Sequence, residues 1–265
     1  MEIKLLTSNI WADVFGNPVK WRDAALVSVI DRYGPDIVML QEAHPNWQRS
    51  AAFTESFGRL GYAVSRPDLL GNPLNYTPVL YKTDVFTEEG NGFRLFSGPN
   101  DYLSKSVSAS LLRHRGENRL IGAMSTHFYY AQTEAGNEAR MSNAAELAEW
   151  FDHVFSGIPC FCGGDFNCDV LSAPFRLLEE HGVRCASTLA AVKKNPVRSH
   201  HKNPFYDQNA DRYVPAEPST KSDRRSIDHI VTGGGGVTIR EYEVITDGDA
   251  MILSDHCPLI ITAEL

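Results

Sequence analysis

Short apolar runs alternate with a few amphipathic stretches along this chain. The runs at 1–9 and 36–41 have the length and composition of buried strands. Between them, apolar residues recur at helical spacing over 21–33, and Gly34-Pro35 ends that helix. A second helix is predicted to begin near Asn46 and to end near Gly61.

The rest of the chain continues this alternation. Closely spaced apolar runs between 75 and 127 predict consecutive antiparallel strands, and a long helix is expected over about 134–155. The strand at 160–166 ends in a loop, and Ser172-Ala173-Pro174 begins a short helix that Gly182 closes. After the polar residues 190–225, three strands complete the chain. Without an internal repeat or linker, this order predicts one α/β domain over 1–265, with mixed sheets covered by helices.

Composition narrows the classes of protein. The chain has 265 residues, of which 43% are hydrophobic and 22% charged, so it can bury a sizeable core. A net charge of −8 argues against broad coating of nucleic acid. No apolar run approaches the roughly 20 residues of a membrane span, and the start is unlike a signal peptide. The odd count of 5 cysteines favours reduced thiols in the cytoplasm, with secretion after signal removal as the alternative.

Acids, amides and histidines recur where the predicted strands end or begin. They are Asn9, Glu42, His127, Asp165, Asn167, Asp228, Asp255 and His256. Each of them alone is better explained as an ordinary strand end or turn. As an ordered set they occupy the places where α/β folds bind ligands. Carboxylate and amide oxygens suit Mg²⁺ or Mn²⁺ rather than zinc, and the histidines can supply charge or protons to a phosphoryl group.

The order of these segments resembles the endonuclease/exonuclease/phosphatase family of metal-dependent phosphoesterases. That family includes DNase I-like nucleases, inositol-polyphosphate 5-phosphatases, sphingomyelinases and deadenylases. The resemblance extends from Asn9 to Pro258 and is strongest at DIVMLQE, GGDFN, IDHI and SDHCPL. It implies a four-layer α-β-β-α sandwich of two mixed, mostly antiparallel sheets flanked by helices, with the site at one rim. None of these motifs specifies the substrate.

The resemblance implies a metal site and a catalytic group. Glu42 would be the main metal carboxylate, with Asn9 beside it, and Asp255 would bind the metal directly or through water. The remaining five residues would act on the water and the phosphate. Asp165 would orient or deprotonate the attacking water, Asn167 would hold a phosphate oxygen or Asp165, His256 with Asp228 behind it would contact the scissile phosphate, and His127 would donate to another phosphate oxygen.

The pairing of Asp228 with His256 also has a physical reason, because a carboxylate behind an imidazole fixes its tautomer and favours its charged form. The alternative for Asp228 is an ion pair with Arg224 or Arg225. One position departs from the family pattern. Asn75 stands where relatives often carry an acid that stabilises the ring of the histidine corresponding to His127. An amide stabilises a charged imidazole less than a carboxylate does, so His127 is expected to carry a proton less readily than His256.

Further residues, Asn75 among them, are candidates for contact with the substrate. Arg140 and Asn143 lie early on the long helix and resemble a polar pair of the family, the alternative being ordinary helix-surface residues. Aromatic residues that follow two site segments either form a wall of the pocket or cover the rim of the sandwich; they are Trp11, Phe15, Tyr129 and Tyr130.

Three weaker motifs receive ordinary interpretations. The cysteines at 160, 162 and 168 match no zinc spacing and are expected to be buried small apolar residues. The glycine run at 233–236 precedes no Gly-Lys-Ser/Thr and predicts a hairpin loop. The pair His200-His201 is expected to be solvated.

The sequence therefore predicts a Mg²⁺-dependent hydrolase of phosphate esters, with Mn²⁺ as a substitute, acting as a monomer. Its substrate is expected to be a phosphorylated small molecule or a nucleic-acid end, as a monoester or a diester. A catalytically inactive binding module is the alternative, and it predicts loss of a key residue, yet none is replaced. A zinc hydrolase would need more histidine ligands than His127 and His256.

Residues 193–225 carry a net charge of +4, whereas the rest of the chain carries −12. They are therefore expected to attract an anionic substrate, through Arg198, Lys202 and Arg212 among others. The alternative is a solvated loop.

Overall fold

One seven-stranded sheet contains both ends of the chain. The computed structural model describes residues 1–11, 22–69, 74–202 and 204–265. The strands of this sheet are β1 (Glu2–Asn9), β2 (Ile37–Gln41), β3 (Tyr62–Val64), β4 (Val79–Lys82), β10 (Val192–Lys194), β14 (Thr238–Val244) and β15 (Leu259–Glu264). They lie in the order β10-β14-β15-β1-β2-β4-β3.

A second sheet of six strands packs against the first. It contains β5 (Phe86–Leu95), β6 (Ser106–His114), β7 (Leu120–His127), β8 (Cys160–Asp165), β9 (Arg184–Cys185) and β13 (Asp228–Gly233), in the order β5-β6-β7-β8-β13-β9. A separate two-stranded ribbon is formed by β11 (Phe205–Asp207) and β12 (Arg212–Val214). Apolar side chains of both sheets, such as Leu5, Met39, Phe161 and Ile230, form the central core between them.

Helices cover the outer faces of both sheets. They are α1 (Arg22–Tyr33), α2 (Pro45–Gln48), α3 (Ala51–Arg59), α4 (Glu134–Glu149), α5 (Ala173–Glu180), α6 (Ala186–Leu189) and α7 (Ala250–Leu253). A second core joins α1 and α3 to the first sheet, and a third joins α4 and α5 to the second sheet. The predicted four-layer α-β-β-α sandwich is therefore confirmed. In the described part of the chain, no helix combines the length and apolar character of a membrane span.

Several predicted boundaries differ from the structure. The helix expected over 46–61 is two helices, α2 and α3, because Ser50 caps a new start by accepting from the backbone N–H of Phe53. The helix expected to reach 155 leaves α-helical geometry after Glu149 and continues as a π-helical turn, Trp150–Val154. The glycine run at 233–236 is no hairpin, because it connects β13 in one sheet to β14 in the other.

Strand register brings the polar strand ends to one rim. The parallel pair β1 and β2 places Asn9 opposite Gln41, and the parallel pair β7 and β8 places His127 opposite Asp165. Strand β13 runs antiparallel to β8, so its first residue, Asp228, also lies opposite Asp165. Residues from strands far apart in sequence therefore meet at the same edge of the sandwich.

Close contact between the sheets fixes the spacing of this rim. A Cβ atom on Gly163 would lie only 2.8 Å from Cβ of Thr7 and 2.6 Å from Cε of Met39, so a larger residue here would force neighbouring side chains to shift. Nearby, the side chain of Gln41 donates to Oγ of Ser125 at 3.0 Å, and that hydroxyl donates to the carbonyl of Leu40 at 2.7 Å. These buried hydrogen bonds join the two sheets directly beneath the polar rim.

Candidate active site

A cavity of about 1360 Å³ opens at this rim. Nine residues predicted from the sequence line it, namely Trp11, Glu42, His127, Tyr130, Asp165, Asn167, Arg198, Asp255 and His256. Asn9 and Asp228 contact these residues from behind. The lining also includes residues that the sequence did not single out as site residues: Asp101, Lys105, His200 and Lys221.

Glu42 follows β2 in a left-handed backbone conformation, with φ of 56°. A non-glycine residue rarely adopts this conformation, and it is often found at functional sites. Nδ2 of Asn9 donates to Oε1 of Glu42 at 3.1 Å and to Oδ2 of Asp165 at 3.1 Å, while Oδ1 of Asn9 accepts from the backbone N–H of Trp11 at 3.0 Å. Asn9 therefore contacts two carboxylates and lies beside Glu42, and its part in a metal site stays a prediction.

Asp165 is almost fully buried at the base of the cavity, with 2% of its surface exposed. Its Oδ1 accepts from the backbone N–H of Asn167 at 2.9 Å, and its Oδ2 lies 3.5 Å from Nε2 of His127. Burial, followed by the charge of Asp228, raises the pKa of Asp165 to about 7. A carboxyl group with this pKa can exchange a proton near neutral pH.

His256 and Asp228 form a buried pair. Nδ1 of His256 lies 2.8 Å from Oδ2 of Asp228, and Oγ of Ser199 donates to the same oxygen at 2.6 Å. Burial opposes the charge on each group, but the mutual attraction prevails, so the pKa of His256 is well above its ordinary value and that of Asp228 is lowered. The alternative partner Arg225 bonds Asp169 at 2.9 Å instead. His256 is therefore a cation whose Nε2–H is available on the cavity side.

His127 is in a different state from His256. Burial, the charge of Lys105 and that of His256 hold the pKa of His127 well below its ordinary value. Nζ of Lys105 donates to Nε2 of His127 at 2.9 Å, and the lysine is only 5% exposed. Burial lowers the pKa of Lys105, while Glu42 and Asp165 oppose that shift. The positive charge on this wall belongs to the lysine, which the sequence analysis missed because no motif marks its position before β6.

Asn167 also has a positive φ, of 52°. Its backbone N–H bonds Asp165, and its side-chain Nδ2 donates to the carbonyl of Phe128 at 3.0 Å. Of the two predicted roles, the structure shows contact with Asp165, made through the backbone.

Arg140 and Asn143 do not line the cavity. Arg140 is 1% exposed, and its guanidinium donates to the carbonyls of Tyr129 at 3.0 Å and Ala131 at 2.8 Å. Oδ1 of Asn143 accepts from the backbone N–H of Tyr129 at 3.0 Å. Both side chains hold the loop after β7, because its carbonyl and N–H groups need buried partners. Both residues thus position this loop, and their predicted contact with substrate is not tested by the structure.

Asn75 likewise lies outside the cavity lining. Its Oδ1 accepts from the backbone N–H of Thr77 at 2.8 Å and from Oγ of Ser108 at 2.9 Å. Its amide is thus part of a network between the start of β4 and β6. The residue beside His127 is Lys105, so Asn75 occupies neither the substrate-binding place nor the ring-steadying place that the sequence suggested.

The aromatic candidates divide between two places. Tyr130 is 53% exposed and lines the cavity, with its ring 5.8 Å from Nζ of Lys105, and Trp11 lines the cavity too. Tyr129 packs on Tyr130 with the ring centroids 5.3 Å apart. Phe15 lies outside the described residues.

Part of the basic stretch 193–225 reaches the cavity. Arg198, Lys221 and Arg225 line it, whereas Lys202 and Arg212 do not appear in the lining. Lys193 instead bonds Asp223 at 2.7 Å. Of the three residues named from the sequence for attracting an anionic substrate, Arg198 alone lines the cavity.

Two weaker sequence interpretations have different outcomes. All five cysteines are free, and those at 160 and 162 are buried as expected, while Cys168 is partly exposed beside the cavity. His200 was expected to be solvated, but it lines the cavity with its ring 4.7 Å from that of His256. Its segment forms an antiparallel bridge to His256, a long-range pairing that has no signal in the sequence.

Comparison with known proteins assigns the family. The model of the endonuclease/exonuclease/phosphatase family matches residues 6–256. The chain therefore belongs to that family. No curated protein matches this sequence.

Solved structures share the fold over their whole length. An endonuclease/exonuclease/phosphatase family protein from Bacteroides thetaiotaomicron superposes with a TM-score of 0.77 at 18% identity, covering 100% of this chain and 99% of that one. The mannosyl-6-phosphatase of Bacteroides thetaiotaomicron gives 0.74 at 16% identity, covering 99% and 100%. D. rerio TDP2, solved with a single-stranded DNA product, gives 0.70 at 15% identity, covering 100% and 99%. At these identities the likeness shows the fold alone.

Proposed function

We propose that this chain is a cytoplasmic, divalent-metal-dependent hydrolase of phosphate esters. The observation that carries the proposal is the environment of Asp165, a buried carboxyl group with a pKa of about 7 that faces a cavity also lined by His256 and Lys105. A base with this pKa can take a proton from water near neutral pH. The two cationic groups in the same cavity are suited to the oxygens of a phosphoryl group. Five free cysteines support the cytoplasmic location.

The donor set of the cavity fits a hard divalent cation. Glu42 and Asp255 offer carboxylate oxygens in one cavity, and Asp165 adds a third carboxylate in contact with Asn9. Oxygen ligands of this kind suit Mg²⁺, with Mn²⁺ as a substitute. Glu42 and Asp255 would hold the ion, and Asn9 would orient Glu42. When bound, the metal supplies positive charge that stabilises the phosphoryl oxygens.

The side chains of this chain would divide the remaining chemistry among them. Asp165 accepts a proton from a water molecule, whose oxygen attacks phosphorus while the bond to the leaving oxygen breaks. His256 donates its Nε2–H to one phosphoryl oxygen, and Asp228 maintains its charge. Lys105 donates to another, and His127 fixes the direction of the lysine by accepting one of its hydrogens. His127 thus acts as a positioning residue in place of the direct donor that the sequence predicted.

The size and charge of the cavity favour a substrate larger than phosphate. A volume of about 1360 Å³ exceeds the roughly 300–1,000 Å³ of common small-molecule sites. Arg198 and Lys221 add positive charge to its lining. A phosphorylated sugar or inositol and a nucleic-acid end both fit this description. The mannosyl-6-phosphatase and the DNA-bound TDP2 of the same fold support testing both classes.

A substrate panel tests the proposal. Phosphomonoesters of sugars and inositols, phosphodiesters, and short DNA and RNA are assayed with Mg²⁺ and with EDTA, for the wild-type protein and for Asp165→Asn. We expect Mg²⁺-dependent turnover of at least one class, and its loss in the variant. Binding of a phosphate ester without turnover by the wild-type protein would favour the alternative, an inactive binding module.

A further inference from the structure

His200 is brought beside the active site by a short pairing of two loops. It forms an antiparallel bridge with His256, and the backbone N–H of the next residue, His201, donates to the carbonyl of Asp255 at 2.9 Å. On the other side, the N–H of Cys257 donates to the carbonyl of Ser199 at 2.7 Å. These bonds hold the two histidine rings 4.7 Å apart.

The pairing assembles three donor atoms of mixed type. One ligand atom each from His200, Asp255 and His256 lies within 4.8 Å of the other two. Nε2 of His256 is 3.8 Å from Oδ1 of Asp255. In a tetrahedral site with bonds of about 2.0–2.1 Å, neighbouring ligand atoms lie roughly 3.4 Å apart. Small side-chain adjustments would therefore close this cluster around an ion.

A second observation points to a ligand at the same place. Nδ1 of His200 is buried and has no hydrogen-bond partner in the described part of the chain. Buried polar atoms are nearly always satisfied, so an unsatisfied one calls for a ligand. Behind His256, Nδ1 is held by Asp228, which in turn accepts from Ser199. A carboxylate behind a histidine is the usual outer partner of a metal-binding imidazole.

We propose that His200, Asp255 and His256 form a site for Zn²⁺ or a related transition-metal ion, which shares Asp255 with the oxygen site but does not use Glu42. Two imidazoles and one carboxylate suit zinc, whereas Mg²⁺ prefers oxygen ligands alone. This site also has a consequence for catalysis, which rests on the proposed function. An ion that binds Nε2 of His256 displaces the Nε2 proton to solvent, so this nitrogen no longer donates to the phosphate and zinc inhibits hydrolysis in the presence of Mg²⁺.

The site itself can be tested without any substrate. Co²⁺ is titrated into the metal-free protein and followed by its visible absorption, and Zn²⁺ is then added to displace it. We expect one ion with the intense absorption of a tetrahedral site. His200→Asn should weaken binding by about tenfold or more, since a ligand is lost. The matched variant His201→Asn should bind as the wild type does, because Nδ1 of His201 bonds the carbonyl of Lys202 at 2.6 Å and the ring lies outside the cluster.

Glu42→Gln provides the second control. Its zinc affinity should equal that of the wild type, because Glu42 is not one of the three zinc ligands. Equal Co²⁺ binding by the wild type and His200→Asn, or loss of binding in Glu42→Gln, would overturn the proposal.

Inhibition forms a separate arm of the experiment. With a substrate that the protein turns over, the zinc concentration for half-inhibition in excess Mg²⁺ should rise in His200→Asn, relative to the rate of that variant without zinc. If no phosphate ester is turned over, the proposed function fails while Co²⁺ titration still decides the site. If turnover is normal and Co²⁺ binding is unaffected by His200→Asn, the site alone is wrong.

Discussion

Nζ of Lys105 lies 2.9 Å from Nε2 of His127, and both side chains are almost fully buried. The contact sets the charge state of both groups. A lysine ammonium has hydrogens to donate and no lone pair, so the ring nitrogen must accept, which requires a neutral imidazole. Two of the three ammonium hydrogens then remain for other acceptors in the cavity. His127 therefore directs a cation at the substrate without being one.

Lys105→Met should lower kcat by about 10²–10³-fold, the usual effect of losing one donor to a developing oxyanion. It should also raise the pKa of His127, since the charge of Lys105 is one cause of its depression. Steady-state kinetics and NMR titration of the histidine ring measure the two effects. Lys194→Met is the matched control, because Lys194 bonds Glu241 on the surface. A fully active Lys105→Met protein would remove the lysine from the mechanism.

His127→Gln should retain more activity than His127→Leu, because glutamine can still accept a hydrogen bond from Lys105. Both variants should keep the Mg²⁺ requirement. Equal loss of kcat in the two variants, both folded by circular dichroism, would mean that the ring itself donates to the substrate.

The rate should depend on pH through Asp165. Because burial and Asp228 raise its pKa to about 7, kcat/KM at low Mg²⁺ should increase as pH rises through about 7. Added Mg²⁺ favours the ionised carboxylate and should therefore shift this rising limb of the pH profile of kcat/KM to lower pH. Asp165→Asn should abolish the limb and lower kcat by about 10²–10⁴-fold. A limb that persists in this variant belongs to another group.

The same shift has a consequence for stability. Burial raises the pKa of Asp165 in the folded state above its value in the unfolded chain. The folded protein therefore loses stability as pH rises from about 4 to about 7, where only the unfolded chain would ionise this group. In EDTA, Asp165→Asn should therefore gain in Tm relative to the wild type above pH 7 and show little difference near pH 4. Thermal melts at the two pH values measure the crossover.

The buried pair predicts an order of severity. His256→Ala should be the more damaging change, because it removes the donor, and Asp228→Asn the milder, because it removes only the charge that supports the ring. Asp228→Asn should also lower the pKa of His256, which NMR titration reports directly. If Asp228→Asn were harmless and His256→Ala crippling, the pair would have no catalytic meaning.

Charge on the cavity wall should act on binding. Neutralising Arg198 and Lys221 together should raise KM and weaken its salt dependence with little change in kcat, because these charges attract substrate and transition state alike. Lys202 and Arg212, which the sequence had suggested with Arg198, serve as the control pair because they do not line the cavity. An unaltered KM at low salt in the Arg198 and Lys221 variant would mean that this wall does not contact the substrate.

Much of the site could be predicted because its residues lie where strands end. Asn9, Glu42, His127 and Asp165 follow apolar runs, and parallel pairing necessarily brings such ends together. Lys105 stands before β6 without any motif, and its meaning depends on the register of β6 with β7. His200 reaches the site through a loop bridge, which hydrophobic periodicity does not report. Arg140 is the opposite case. Its position early on a helix suggested contact with substrate, but its guanidinium donates to nearby backbone carbonyls.

Metal held by Glu42 is expected to support hydrolysis of a phosphate ester. The most direct measurement is a Mg²⁺ titration of turnover, with the best substrate of the panel, for the wild-type protein and for Glu42→Gln after treatment with EDTA. For this role of the metal we expect no turnover before Mg²⁺ is added and full recovery for the wild type. The variant should need a much higher Mg²⁺ concentration for half-activity, since a neutral amide replaces the charged ligand. Turnover in EDTA, or the same Mg²⁺ dependence for both proteins, would contradict it.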